Sequence, residues 1–438
     1  MSKKKIGRAA AFLSLTLLIA GALLASGGAR AGLAQGAKPA AAVNPKSAAV
    51  QEATREVLRE TSELRGLKVV REVASGAQSR PEIERMLIAN LNESTTPEEM
   101  RSSEVALKKF GLAPADFQLR PFIIAVLTEQ IAGYYDPKRQ TFYLADWVDL
   151  EGLQPVIAHE LTHALQDQHF NLRMFENWPK HDSDAELAAQ ALVEGDATVL
   201  MMQYVMKNPQ RALALFKSMG NTSSEQLDRA PRALRETLMF PYEHGMTFAA
   251  QVHRRGGWPL VSQAYTELPK STEQILHPEK YFTKEAPVAD IAWRDVSAQL
   301  GKGWRVTDHD VNGEWGYYLI LDEFLKSKSE SLKAAAGWGG DHYVLYEGPN
   351  KSDVLLAQYT HWDTEQDATE FFTAYVKRTE RRYKHAGATQ TPAANSATRS
   401  AWTTAEGSVV IERRGQRVIV VEGLPKNYKP EVLDKLFS

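Results

Sequence analysis

Apolar positions from Val156 to Gln168 recur with the period of a helix. Val156, Ile157, Leu161 and Leu165 form one stripe, and Pro155 suits the first helical position. A second helical run spans Ser183 to about Met206, with Asp182 or Ser183 as its N-cap. Leu187, Ala191, Glu194, Thr198 and Met201 share a stripe there, and Ala191, Gly195 and Ala197 are small enough for another helix to approach closely. Residues 117–131 are apolar with helical spacing. Tyr134-Tyr135 and Thr141 to Leu144 flank Asp136-Pro137-Lys138-Arg139, the pattern of a β-hairpin. Glu243 to Arg254 and Trp258 to Leu268 predict two helices joined at Gly256-Gly257. Pro269 ends that pattern, and Ser271 to Tyr281 follows as helix and loop.

Residues 51–112 look helical and charged, with turns near Gly76 and Thr96-Pro97. This stretch is either a pro-segment or the helical start of the domain that follows. Beyond about residue 300 the texture changes. Trp338 to Tyr346, Val354 to Thr360, Ser408 to Ile411 and Gln416 to Val421 predict strands, Thr364 to Tyr383 an amphipathic helix, and Ala386 to Ser400 a polar loop. The expected fold class is α+β: a mainly helical domain over 51–300 carrying a small antiparallel sheet, and a C-terminal α+β domain over 301–438.

The N-terminus changes the setting. Lys3, Lys4, Lys5 and Arg8 precede an apolar stretch, Ala9 to Ala25, and Ala29-Arg30-Ala31 offers a small-x-small cleavage site. Residues 1–31 are expected to be a signal peptide and 32–50, rich in Ala, Gly and Pro, a flexible linker. The expected location is therefore periplasmic or secreted, in a bacterium. Membrane attachment is expected only if the N-terminal segment stays uncleaved. A net charge of −2, with no long basic run after the N-terminus, argues against nucleic acid as a partner. The absence of cysteine excludes thiolate nucleophiles, Cys-ligated zinc, disulfides and a lipid-modified N-terminal Cys.

The candidate chemistry lies in His159-Glu-Leu-Thr-His163. Positions i and i+4 of a helix lie on one face about a turn apart, so two imidazoles there can share one Zn²⁺, with Glu160 placed to act on a water at the metal. A third protein ligand is needed, and two residues compete. His169 stands where a longer motif places a third His after a helix-breaking Gly, but Gln166 occupies the Gly position. In an unbroken helix His169 points about 120° away from His163. Glu194 is the favoured ligand, because a carboxylate in an otherwise apolar or small stripe is costly unless paired. Glu186, earlier on that helix, faces elsewhere.

These residues resemble the gluzincin metallopeptidases, the thermolysin-like class. More narrowly, four strings resemble a group of secreted bacterial zinc-peptidase-like proteins: Ala132-Gly-Tyr-Tyr-Asp-Pro, His159-Glu-Leu-Thr-His-Ala-Leu-Gln-Asp-Gln, Leu192-Val-Glu-Gly-Asp-Ala, and Ser271-Thr-Glu-Gln-Ile-Leu-His-Pro-Glu-Lys-Tyr. The resemblance implies a zincin-type catalytic domain, Zn²⁺ held by His159, His163 and Glu194, Glu160 as catalytic base, and a peptide or protein substrate. It also implies that Thr141 to Leu144 is an edge strand receiving substrate by strand addition, and that a His or Tyr steadies the oxyanion. His277 is the named candidate for that last role, with Tyr242, His244 and Tyr281 as others. One departure is Thr198, where the class usually has an Asp that orients a zinc-bound His. Asp167 and Asp196 are open candidates for that task, and Asp167 is equally readable as a solvated helix-end acid. His309, His342, His361 and His385 have no ligand spacing. The function expected is zinc-dependent endopeptidase activity. The alternative is a non-catalytic, zinc-stabilised exported binding or scaffold protein.

Overall fold

The computed structural model describes residues 45–148, 150–219, 225–288, 291–384, 389–390 and 396–438. The expected signal peptide, the linker up to residue 44 and His385 lie outside them. The linker does not extend to residue 50, because a helix, Pro45–Arg65, begins inside it. Val50, Val57 and Leu58 give that helix an apolar face, which packs with Val156, Ile157, Leu161 and Leu165. Among the described residues no helix is long and apolar enough to cross a membrane.

The motif helix runs Gln154–Phe170, with proline in its first turn and Asn171 as a left-handed cap. Every residue from Pro155 to Asp167 is buried, since other elements cover it on several sides. One neighbour is the N-terminal helix. Another is a three-stranded sheet of β1 (Ala74–Gln78), β2 (Gly133–Asp136) and β3 (Thr141–Ala145). The third is the carboxylate helix, Ser183–Met206, whose N-cap Asp182 accepts a hydrogen bond from the Ala185 N–H.

Two expectations are corrected by the sheet. Gly76 is not a turn but the middle of β1, paired parallel with β3. Strand order is β1-β3-β2, so Thr141 to Leu144 is the central strand and not an edge. Both rows of its backbone groups are engaged, and no substrate strand can add there. The hairpin of Tyr134-Tyr135 with 141–144 is present as expected; the extra strand comes from a segment whose glycine resembles a turn signal.

The long helix, Arg232–Ala264, leaves helical geometry at Gly256 and Gly257, the latter at φ 64°, where the glycine pair predicts a junction. It starts well before the expected Glu243 and carries Pro241 inside. It crosses the carboxylate helix backbone to backbone: a Cβ on Gly195 would overlap the carbonyl of Gly245, and one on Gly245 would overlap that of Ala191. Only glycine permits this approach.

Beyond residue 300 lies a seven-stranded antiparallel sheet, ordered β4-β5-β6-β10-β9-β8-β7. Its strands are β4 (Arg305–Asp310), β5 (Trp338–Glu347), β6 (Val354–Trp362), β7 (Thr389–Gln390), β8 (Arg399–Thr404), β9 (Gly407–Arg414) and β10 (Arg417–Leu424). The pleat sends Leu345, Leu356, Val409 and Ile411 toward helices Gly313–Leu325 and Glu365–Tyr383. Val344, Leu355, Ala357 and Val410 go to the other face, under the terminal helix Pro430–Leu436. Part of the expected polar loop thus belongs to β7 and to the start of β8. Phe240, Phe248 and Leu192 share one hydrophobic cluster with Tyr317, Trp338 and Phe371, so the core is continuous across residue 300.

Candidate metal centre

The motif helix and the carboxylate helix pack side by side and aim three donors at one point. His159 Nε2 lies 3.1 Å from Glu194 Oε2 and 3.1 Å from His163 Nε2, and His163 Nε2 lies 3.4 Å from Glu194 Oε2. Among the described residues this is the group of His, Asp and Glu side chains whose ligand atoms converge tightly enough to hold a metal ion. Tetrahedral bonds of about 2.0–2.1 Å to nitrogen and oxygen put neighbouring donors about 3.3 Å apart, so the trio fits a zinc-sized cation. The donor set itself, two imidazoles and one carboxylate, is one that catalytic zinc uses.

Burial sharpens the fit. His159, His163 and Glu194 are at most 5% exposed. Without a cation, burial pulls His159 below its ordinary pKa. Burial also pulls on His163, but the Glu194 carboxylate outweighs it and holds His163 above its ordinary value. Burial alone would raise Glu194, yet the two imidazoles drive it well down. The pocket therefore favours positive charge beside this carboxylate, and a divalent cation supplies it without a proton.

Glu160 is fully buried, and its Oε2 accepts a hydrogen bond from the Tyr135 N–H at 2.9 Å. The Ala132 to Asp136 string thus serves the centre by setting a strand amide against the candidate base. Nothing in the spacing of the sequence signals this contact.

His163 is anchored from behind. Its Nδ1 faces Gln166 Oε1 at 2.7 Å, and the Gln166 amide donates to Val193 O at 3.1 Å and to Asp196 Oδ2 at 3.0 Å. Gln166 is thus the side chain that meets His163 Nδ1, and Asp196 reaches it one step removed. His159 has no such anchor: its Nδ1 is buried without a hydrogen-bond partner among the described residues. Asp167 is neither a solvated acid nor a histidine partner. It is buried and accepts from the Tyr135 hydroxyl, the Arg71 guanidinium and the Leu172 N–H, tying the helix end to the hairpin.

The remaining candidates separate clearly. His169 lies at the helix end with Nε2 2.8 Å from Lys68 O, apart from the trio, as an unbroken helix requires. His277 does not face the cluster; its Nε2 is 2.9 Å from Glu314 Oε1, in the helix Gly313–Leu325 of the C-terminal half. Tyr281 donates to Glu267 O. His244 packs between Phe240 and Trp315, where burial lowers its pKa to about 4. Tyr242 is the aromatic candidate that lies beside the centre, its ring stacked 6.3 Å from that of His159. Glu186 stands away from the trio, its pKa raised by burial to about 7.

Two scattered histidines prove to be neighbours. His309 Nδ1 lies 3.1 Å from His342 Nε2, and the His181 ring stacks on His309 at 3.7 Å. They join the loop before the carboxylate helix to the C-terminal sheet.

A family model described as a domain of unknown function, DUF8575, matches residues 302–433. No curated protein and no solved structure matches the chain.

Proposed function

We propose that the protein is a zinc-dependent endopeptidase, with His159, His163 and Glu194 holding the metal and Glu160 as general base. The observation that carries this reading is the convergence of the three donors with Glu160 at their side, its carboxylate fixed by the Tyr135 amide. A structural zinc site needs no carboxylate next to its ligands that is not itself a ligand. When bound, zinc supplies a Lewis acid that lowers the pKa of water from about 15.7 toward about 7 and polarises a carbonyl. Glu160 then accepts the proton of the attacking water and returns it to the leaving amine. Tyr242, beside His159, is the candidate donor to the developing oxyanion. Export rests on the basic and apolar N-terminus alone.

One observation favours a second reading, a zinc-stabilised scaffold. The three donors and Glu160 are between 0 and 5% exposed, so substrate reaches them only if the surroundings open. Digestion of casein and of a peptide library, with chelator and after zinc is restored, separates the two. Cleavage that chelator abolishes and zinc returns supports the peptidase. Zinc bound at unit stoichiometry without any cleavage supports the scaffold.

A further inference from the structure

We propose that the N-terminal helix is a working part of the metal centre. Arg65, acting through Asp196 and Gln166, fixes His163 in the tautomer whose Nε2 lone pair faces the cation. This rests on the metal-binding part of the reading above and not on proteolysis.

The argument is one of donors and acceptors. The Gln166 Nε2 contacts Val193 O, a backbone carbonyl that can only accept, and Asp196 Oδ2. The amide group must point that way, so Oε1 is the atom facing His163 Nδ1. An amide oxygen only accepts, hence Nδ1 carries the hydrogen and Nε2 is bare. Asp196 is the side-chain partner of that amide, and what places it is the next link. Asp196 is fully buried, and a buried carboxylate keeps its charge only when paired. The pair is Arg65, whose Nε lies 2.7 Å from Oδ1 and Nη2 3.0 Å from Oδ2, with both side chains 0% exposed. Ser262 Oγ, 3.1 Å from Nη1, and the Trp258 ring, 4.5 Å away, hold the guanidinium in place, and the Tyr265 hydroxyl donates to Asp196 Oδ2. Without Arg65 the Asp196 carboxylate loses the two-point clamp that sets its Oδ2 against the Gln166 amide, and the support behind His163 loosens.

Arg65 is the last residue of the helix Pro45–Arg65. On this proposal the helix Pro45–Arg65 belongs to the metal-loaded protein and is not a removable pro-segment.

The test uses full-length protein, zinc affinity by chelator competition, and the exchange rate of the His163 Nδ1–H by NMR in the zinc-loaded state. Gln166→Leu leaves the Arg65–Asp196 pair intact and is expected to weaken zinc about 10–100-fold and to speed that exchange. Arg65→Met is expected to weaken zinc similarly. Should it fail to fold, Arg65→Met with Asp196→Asn removes the buried charges together, and loss of affinity is expected there too because residue 196 no longer has the clamp that sets it against the Gln166 amide. Wild-type affinity in Gln166→Leu, or in the Arg65 variant that folds, overturns the proposal. A wild type that binds no zinc ends the metal reading itself.

Discussion

Glu160 shows how much one side chain depends on a strand far from it in sequence. Its carboxylate is one residue from a candidate ligand, yet the Tyr135 amide decides where it points. The glutamine variant keeps that acceptor but cannot take a proton from water. Glu160→Gln is expected to bind zinc as wild type does and to lose at least about 100-fold in cleavage rate, the scale of general-base catalysis. Wild-type cleavage by that variant contradicts the assignment. Tyr242→Phe is expected to lower kcat by about 100-fold with little change in KM, because an oxyanion donor acts on the transition state and not on the bound substrate. A change in KM alone would move Tyr242 from chemistry to substrate binding. His159, His163, Glu160 and Glu194 were legible from spacing and from the cost of a carboxylate in a small-residue stripe. Gln166 was legible only as the residue missing a glycine. Arg65 left no signal, since its partner Asp196 lies in a different helix with no motif joining them.

At the scale of elements, the carboxylate helix holds its place because two glycines meet. Gly245→Ala would press a methyl into the Ala191 carbonyl, where neither backbone can yield without moving Glu194. Overpacking of a core commonly costs about 1–3 kcal/mol, and this contact should reach the upper end. Urea denaturation reads the loss, and a midpoint within error of wild type would show that the helices do not bind this tightly. Small residues at Ala191 and Gly195 signalled the close approach in advance, and paired glycines at 256–257 signalled the kink. Strand order did not follow from the sequence. An alternating run such as Thr141 to Leu144 looks the same at an edge or in the centre, and β1, containing Gly76, has none of the β-branched residues that mark a strand.

At the scale of the molecule, two halves share one core, and polar contacts fasten the junction. The Trp315 amide donates to Thr272 Oγ1 at 3.2 Å, and His277 meets Glu314. The Ser271 to Tyr281 string, carried by resemblance toward the active site, serves this seam. Stability of the C-terminal sheet carries a pH signature of its own. Burial would raise Glu422, but Arg378 and Arg382 outweigh it and hold its carboxyl down to about 2. A carboxyl whose folded pKa lies below its ordinary 4.5 contributes stability above that value and loses it as pH falls toward 2. Hydrogen exchange in Arg417–Leu424, corrected for intrinsic rate, should therefore quicken between pH 4.5 and 2, and Glu422→Gln should lack that acid step. An acid profile identical in the variant would assign the loss to other carboxyls.

The claim beneath all of this is that His159, His163 and Glu194 enclose a divalent cation. Anomalous diffraction at the zinc edge from crystals of zinc-loaded protein tests it most directly. The account predicts a single strong peak between His159 Nε2, His163 Nε2 and the Glu194 carboxylate, absent after chelation. A zinc-loaded crystal with no peak there, or with its peak on other side chains, contradicts it.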